Sequence, residues 1–532
     1  MADTTKFKVL VSDKLSNKGL DVLKDFHVDV KTGLSEDELV SIIGQYDALL
    51  VRSETKVTAK ILQVADKLKI IGRAGVGVDN IDVIAATKKG VIVCNSPEGN
   101  TIAAAEQTFA LLMSMARNIP QAHASLQKGE WKRSQFTGVE LAGKTLGVVG
   151  LGKIGKRVVR YAQGVGMEIL GFDPYVSDEQ ARQLGIKLMT LDDVLQTADF
   201  LTFHIPKTKE TQNLIDKKKI NSMKDGVYIV NCARGGIIVE ADLRDALESG
   251  KVKAAAVDVF EVEPILDGNP LIGAKNIITT PHLGASTAEA QENVAIDVAQ
   301  QVCSVLNGGE ASAAVNIPSL RRDLLDPVKG FMGLAEKLGL FMSQLIKDES
   351  ISDVEISYIG EVADKEVAPL NLAILKGLLN YLEKGLVNFV NAETVARERG
   401  IKVKETKSTN GEDYRNLIHL KVKTSKASYD IGGTVFEDMG DVFVLINGLP
   451  VNLKPIGLIL VVPNEDKPGI VGKIGTILGG SGVNIASMQV GRVKKAGSSI
   501  MLLNIDQSIS EDVITTIEGL SEINGNVRLV QL

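Results

Sequence analysis

Residues 145–155 read Thr-Leu-Gly-Val-Val-Gly-Leu-Gly-Lys-Ile-Gly, and the chain continues Lys-Arg-Val-Val-Arg-Tyr-Ala-Gln in helical pattern. The run is strand, glycine turn, helix. Gly150 permits the tight turn, Gly152 lets the backbone approach a ligand closely, and Gly155 lets the helix pack on the strand. The helix N-terminus then offers free N–H groups and a positive dipole end to a pyrophosphate. Asp173 ends the next apolar strand, 173 − 155 = 18 residues on. A carboxylate there can hold both hydroxyls of an adenosine ribose and repels a 2′-phosphate. No arginine follows it in Pro174-Tyr175. The stretch therefore specifies a dinucleotide site that prefers NAD to NADP.

Outward from this turn, apolar runs recur at 168–174, 198–206, 226–236, 253–260 and 276–282. With 145–150 they make six strands, the number expected of a complete dinucleotide-binding sheet. An earlier series stands at 8–13, 47–52, 68–75 and 91–96, with helical stretches at 18–24 and 101–117. Strands rich in Val, Ile and Leu that alternate with helices imply parallel sheets built from βαβ units. The expected class is α/β, with two doubly wound parallel-sheet domains. A Rossmann-type cofactor domain, 98–287, is inserted in a flavodoxin-like substrate domain, 1–97 and 288–319, with the cleft between them.

The pattern changes after Ser319. Residues 320–455 mix amphipathic segments with strands at SDVEISYIG and NLIHLKVKT, and are expected to form an α+β intervening domain without a catalytic cluster. Residues 456–532 read strand, helix, strand, strand, helix, strand, a ferredoxin-like βαββαβ unit.

The 532 residues carry 60 Lys and Arg against 66 Asp and Glu, a net charge of −6. Such mild acidity gives no reason to expect nucleic acid or a membrane surface as partner. Three cysteines, Cys94, Cys232 and Cys303, are too few and scattered for a disulfide framework or a zinc site. The chain begins MADTTKFKVLVSD, without the pattern of a signal peptide, and no stretch reaches the roughly 20 apolar residues that span a bilayer. A cytoplasmic protein is expected.

Ligands in open α/β sheets meet the C-terminal ends of strands. Of the five histidines, His282 lies just past NIITTP, and Arg234 lies just past YIVNCA. Removing hydride from a 2-hydroxy acid needs a base for the hydroxyl proton, a cation for the carboxylate, and a group that holds the base in its working form. His282, Arg234 and Glu263 of VFEVEP can fill these roles, with Glu261 the competing acid. His204, inside FLTFHIP, reads as a packed, hydrogen-bonded side chain, and His27, His123 and His419 read as surface residues. Arg52 and Arg73 stand at strand ends of the first series, where the cleft is expected, although position alone reads an isolated arginine as a solvated charge.

The segments NCARGG (231–236), DVFEVEP (258–264), TPHLGAST (280–287), GRAGVGVDNID (72–82) and VRSETKVT (51–58) resemble the signatures of the D-isomer-specific 2-hydroxyacid dehydrogenases, in particular the long members with two extra C-terminal domains. The resemblance implies Arg234, Glu263 and His282 as the catalytic set. It implies cofactor contacts at Lys153, Ile154, Asp173, Cys232, Ala233, Arg234, Asp258, His282, Leu283, Gly284 and Ala285, besides the three glycines. Val76 replaces a threonine of some relatives, so only backbone contact remains there. Arg52 with Ser53, Arg73 and Asn100 resemble phosphoglycerate contacts, and Arg133 resembles an arginine that reaches a neighbouring subunit's site.

The implied reaction is NAD-dependent oxidation of 3-phospho-D-glycerate to 3-phosphohydroxypyruvate, the entry to serine synthesis. Another D-2-hydroxy acid, or a NAD-sensing scaffold role, are the alternatives. The tail resembles an ACT regulatory domain. Asp466 and Asn484 match positions that contact an L-serine effector, while Asn464 stands where some relatives have an aromatic residue. A homodimer or homotetramer is implied.

Overall fold

A computed structural model of the chain describes residues 7–317, 320, 322–347, 349–383, 385–410, 414–492 and 497–532. Ser319, where the change of sequence character is expected, lies outside them, as do residues 1–6.

The first sheet holds β1 (Lys8–Val11), β2 (His27–Val30), β3 (Ala48–Val51), β4 (Ile70–Arg73) and β5 (Ile92–Asn95), all parallel, in the order β2-β1-β3-β4-β5. That is the flavodoxin-like order. Strand β2 is absent from the expected series. Two of its four residues are exposed and two half-buried, and HVDV lacks the apolar run that marks its neighbours. His27 opens this strand and sits 3.6 Å from Asp29.

The second sheet holds β6 (Thr145–Val149), β7 (Glu168–Phe172), β8 (Lys187–Leu188), β9 (Phe200–Phe203), β10 (Val227–Asn231), β11 (Val252–Val257) and β12 (Ile277–Thr279). It is parallel throughout, in the order β12-β11-β10-β9-β6-β7-β8. The first strand lies in the middle and the order reverses beside it, which is the Rossmann arrangement. The sheet has seven strands where six are expected, because the two-residue β8 extends one edge.

Two helices carry the chain between these units. The helix Thr101–Ala116 buries Ala105, Leu111, Leu112 and Met115 in a core that it shares with β6 and the helix Lys153–Gly164. The helix Ala288–Leu306 returns to the first sheet and packs Val298, Ala299 and Val302 against Val9, Val11 and Ile70. Gly72 makes room for it, since a Cβ there would stand 2.4 Å from Val298 Cγ1.

The third sheet holds β13 (Ile351–Gly360), β14 (Lys402–Ser408), β15 (Asn416–Thr424), β16 (Ser428–Phe436), β17 (Gly440–Ile446) and β18 (Leu449–Leu453). The helices Met332–Leu345 and Ala368–Leu382 cover it. His419, expected at the surface, is half-buried on β15 and paired with Asp430 of β16 at 3.2 Å.

The fourth sheet holds β19 (Leu458–Glu465), β20 (Ile485–Arg492), β21 (Ser498–Ile505) and β22 (Arg528–Gln531), in the ferredoxin-like order β20-β21-β19-β22. Its strands alternate between two cores. Leu460, Val462, Met501 and Leu503 meet the sheet's own helices, whereas Ile459, Val461, Ile500 and Leu502 enter the core of the third sheet. The Gln344 side-chain amide locks this contact on the Gln531 backbone: its Nε2 donates to Gln531 O at 2.9 Å, and its Oε1 accepts the Gln531 N–H at 3.0 Å.

Candidate active site

The glycine turn follows β6 closely. Gly150 has φ +98°, and its amide donates to Phe172 O at 2.8 Å. A Cβ on Gly155 would stand 2.1 Å from Gly150 O, so only glycine fits there. Gly152 has open space about its Cα and caps the helix Lys153–Gly164 without a side-chain bond. The first helical N–H groups are therefore left for an anion. One Asp173 oxygen accepts the Leu151 amide at 2.8 Å and the other the Tyr175 amide at 2.9 Å. Lys153, at the helix start, is paired with Glu98 across the connection to the first sheet. An open glycine cradle, uncapped amides and an acid at the next strand end fit NAD.

Arg234 follows β10 in a loop pinned by Asn231, whose side chain accepts the Ala233 amide and donates to Arg234 O, both at 3.0 Å. Gly235 is pressed against the next loop, where a Cβ would meet Phe260 O at 1.7 Å. His282 follows β12 with φ +55°, an uncommon backbone for a non-glycine residue. Its amide donates to Asp258 O at 2.8 Å. Asp258 has no exposed surface, and its carboxylate accepts from Leu283 N and Gly284 N at 2.8 Å and from Thr280 Oγ1. Ala285 follows in the same turn, where the Ser286 amide closes back on Leu283 O at 2.8 Å. Asp258 thus shapes the backbone that presents His282.

Glu263, not Glu261, holds the histidine: His282 Nδ1 lies 2.6 Å from Glu263 Oε2. The other Glu263 oxygen accepts the Phe260 amide at 2.9 Å. Burial pushes the Glu263 carboxyl up, but the bonds from His282 and Phe260 and the charges of His282 and Arg234 bring it below its ordinary value. The Glu261 amide instead donates to Glu240, a buried acid that also holds Asn269. His204 is bonded to Thr202 Oγ1 at 3.0 Å, and burial pushes it down to about 4. Cys232 is a free thiol that burial pushes up, beyond thiolate chemistry at neutral pH.

The first sheet contributes cations at the ends of β3 and β4. The Arg52 amide donates to buried Asp13 at 2.5 Å, and Ser53 beside it is exposed. Arg73 lies over Gly75 with its Nε buried and, among the described residues, without a hydrogen-bond partner. Burial and the neighbouring Arg234 push it down to about 10. Asn100 caps the helix Thr101–Ala116 with its Oδ1 buried and likewise unbonded. Val76 O accepts from Asn95 Nδ2 at 2.5 Å. Arg234 Nε reaches Asp79 Oδ2 of the first unit at 3.2 Å, so the two units meet at this arginine.

Arg133 is not part of this cluster. It starts a short 3₁₀ turn and lines a surface pocket of ≈ 730 Å³ with Arg117 and the exposed Trp131. In the tail, Asp466 is paired with Arg492 at 2.5 Å, and Asn484 donates to Asp506 at 2.6 Å. Within one chain these two effector candidates are not together. Asp466 follows β19 beside Gly497, whereas Asn484 precedes β20 beside Asp506. The opposite ends of eight-residue strands lie about 25 Å apart. Asp79 and Glu240 escaped the sequence reading. Their partners lie 155 and 21 residues away, and only an acid at a glycine-rich strand end marked Asp79.

Residues 109–284 match the D-isomer specific 2-hydroxyacid dehydrogenase, NAD binding domain; residues 327–447 match the D-3-phosphoglycerate dehydrogenase intervening domain, and residues 459–522 the ACT domain. A D-3-phosphoglycerate dehydrogenase of Synechocystis is 47% identical over 98% of this chain and 94% of its own. One from Methanocaldococcus jannaschii is 45% identical over 97% and 98%. The structure of a D-lactate dehydrogenase from Aquifex aeolicus, complexed with NAD and lactic acid, superposes with a TM-score of 0.52 at 27% identity, over 57% of this chain and 96% of that one. With this sequence likeness along its length and three family models matched one after another, the chain belongs to the D-3-phosphoglycerate dehydrogenases of the D-isomer specific 2-hydroxyacid dehydrogenase family.

Proposed function

We propose that the chain oxidises the C2 hydroxyl of 3-phospho-D-glycerate to 3-phosphohydroxypyruvate, the first step of serine synthesis by the phosphorylated route, with His282, Glu263 and Arg234 as its working groups. The observation that carries this is the bond between His282 Nδ1 and Glu263, set beside Arg234 at the strand ends of a NAD-binding sheet. NAD, when bound, supplies the acceptor for the hydride that leaves C2. The Glu263 carboxylate holds Nδ1–H and so leaves Nε2 free to accept the hydroxyl proton. The resulting imidazolium is stabilised by the same carboxylate. Arg234 binds the substrate carboxylate and the oxygen that becomes the ketone. Arg52, Ser53, Arg73 and Asn100 receive the rest of the substrate. The unbonded Arg73 Nε and Asn100 Oδ1 support this, because buried polar atoms ordinarily have partners.

Around this core the reading extends in three ways. Arg133 completes the site of a second copy in a homodimer or homotetramer, which its place outside the cleft cluster supports. L-serine binds between two tails, using Asp466 of one and Asn484 of the other, which their separation within one chain supports. The enzyme works in the cytoplasm, in keeping with the free thiols Cys94, Cys232 and Cys303. Among the described residues no helix is long and apolar enough to cross a membrane.

Steady-state rates with NAD and 3-phospho-D-glycerate, lactate or glycerate test the substrate. A kcat/KM for phosphoglycerate at least a hundredfold above the unphosphorylated acids is expected. Equal rates would remove the phosphate from the reading, and no turnover would favour a scaffold.

A further inference from the structure

The geometry points to Asp79 as a positioning residue for Arg234, a reading that rests on the role given to Arg234 above. The loop GRAGVGVDNID leaves β4 and leads to the helix Val83–Lys89. Two of its glycines lie beneath two cations. A Cβ on Gly75 would stand 1.7 Å from Arg73 Nη1, and one on Gly77 would stand 2.3 Å from Arg234 Nη2 and 2.8 Å from Asp79 Oδ2. Gly77 thus leaves space for the contact between Asp79 and Arg234 and would lose it to any side chain.

The loop that carries Asp79 is fastened on both sides. Asn80 Nδ2 donates to Arg52 O at 2.8 Å and to Thr55 O at 2.6 Å, and Asp82 caps the following helix at Ala85 N, 2.9 Å. The Asp79 carboxylate is 67% exposed, yet it stands on fixed backbone. Asp79 Oδ2 takes Arg234 Nε at 3.2 Å, and Ala233 O takes Nη1 at 2.7 Å. With those two N–H groups engaged, both N–H groups of Nη2 and the second of Nη1 remain to face a carboxylate. A planar guanidinium held at two points has its plane defined before substrate arrives. Asp79 also stands where charge is needed, since Arg52 and Arg234 both act on Arg73 unfavourably and Asp79 acts in the opposite sense.

An exposed ion pair does little for stability. Its value here lies in orientation, because a reacting group must be held within about 0.5 Å of its working place. The same loop carries Asp79 to Arg234 and Asn80 to the Arg52 backbone, so it sets the distance between the cation for the carboxylate and a cation for the phosphate.

The test uses the full-length protein with Asp79→Ala, Asp79→Asn and Asp79→Glu, and Arg234→Ala as reference. Loss of a charged hydrogen bond predicts that Asp79→Ala lowers kcat/KM for phosphoglycerate by roughly 10–100-fold. KM for NAD and the thermal midpoint should stay at parental values. Asp79→Asn, of equal size, should show a smaller loss and serves if the alanine variant fails to fold, and Asp79→Glu should recover part of the activity. A kcat/KM within twofold of the parent in Asp79→Ala, a gain in that variant, or an equal rise in KM for NAD would each overturn the proposal. If Arg234→Ala keeps parental turnover, the role of Arg234 fails first. If Arg234→Ala is crippled and Asp79→Ala is not, only the positioning role fails.

Discussion

Glu263 bonds His282 Nδ1 at 2.6 Å while its second oxygen is fixed by the Phe260 amide at 2.9 Å. The carboxylate is therefore oriented by the loop after β11 and in turn orients a ring that follows β12. These strands are parallel neighbours, paired from Ala255 with Ile277 to Val257 with Thr279. Acid and base meet because adjacent parallel strands end on the same edge of the sheet.

His282→Ala should lower kcat by about 10²–10⁴-fold, the usual contribution of a general base. NAD affinity should change little, since the glycine turn lies elsewhere. Glu263→Gln should keep the ring in place through a neutral bond but no longer stabilise the imidazolium, so its loss should be smaller. Stopped-flow turnover and NAD titration of both variants check this. Parental turnover in His282→Ala would remove the base.

Asp173→Ala should narrow the preference for NAD over NADP by roughly one to two decades, the worth of a charged hydrogen bond. It should also weaken NAD itself. Asp173 holds the Leu151 amide at 2.8 Å, so its loss loosens the turn beneath the pyrophosphate. Kd values for the two cofactors measure the two effects apart.

Much of this was legible in order along the chain, and the reasons are local. Gly150, Gly152, Gly155 and Asp173 lie within one βαβ unit, where spacing maps directly to geometry. His282 and Arg234 follow strong apolar strands, and strand ends locate ligands in this class of sheet. What escaped was set by distant packing. Strand β2 has no apolar run, and β8 has two residues. Asp79 is defined by a partner in the other unit, and the burial of one face of the tail sheet on the third sheet is invisible in a βαββαβ pattern. The strands of that pattern are apolar on both faces at Ile459–Val462, which is the trace such burial leaves in sequence.

His204 predicts a pH dependence of stability. Burial lowers its folded value from 6.5 to about 4. A lowered histidine favours the fold while neutral, so its contribution is complete above pH 6.5. It is lost as pH falls from there toward about 4, where the unfolded chain binds a proton that the folded one refuses. The loss is at most about 3 kcal/mol. Urea unfolding of the parent and His204→Asn between pH 7 and 4.5 should show a flatter profile for the variant. Parallel profiles would mean that His204 does not govern that window.

The tail calls for point variants instead of removal. Deleting residues 457–532 would strip Ile459, Val461, Ile500, Leu502 and Val530 from the core they share with Leu338 and Phe341, and would leave Gln344 without its partner Gln531. Loss of serine sensitivity in such a truncation would report damage as readily as regulation. Asp466→Ala and Asn484→Ala avoid this, since both residues lie at strand ends outside the two cores. If serine bridges two tails, each variant alone should lose serine binding by calorimetry. Mixed dimers of one Asp466→Ala and one Asn484→Ala chain should regain one of the two sites, because one junction then brings together the intact Asp466 and the intact Asn484. Inhibition in the parent should correspond to a coupling of about 1–3 kcal/mol, enough to be partial. Serine can act on the chemistry only by binding one arrangement of the tails better than another. No heat with the parent at millimolar serine would reduce the tail to an assembly module, and a mixed dimer without any site would place both contacts in a single chain.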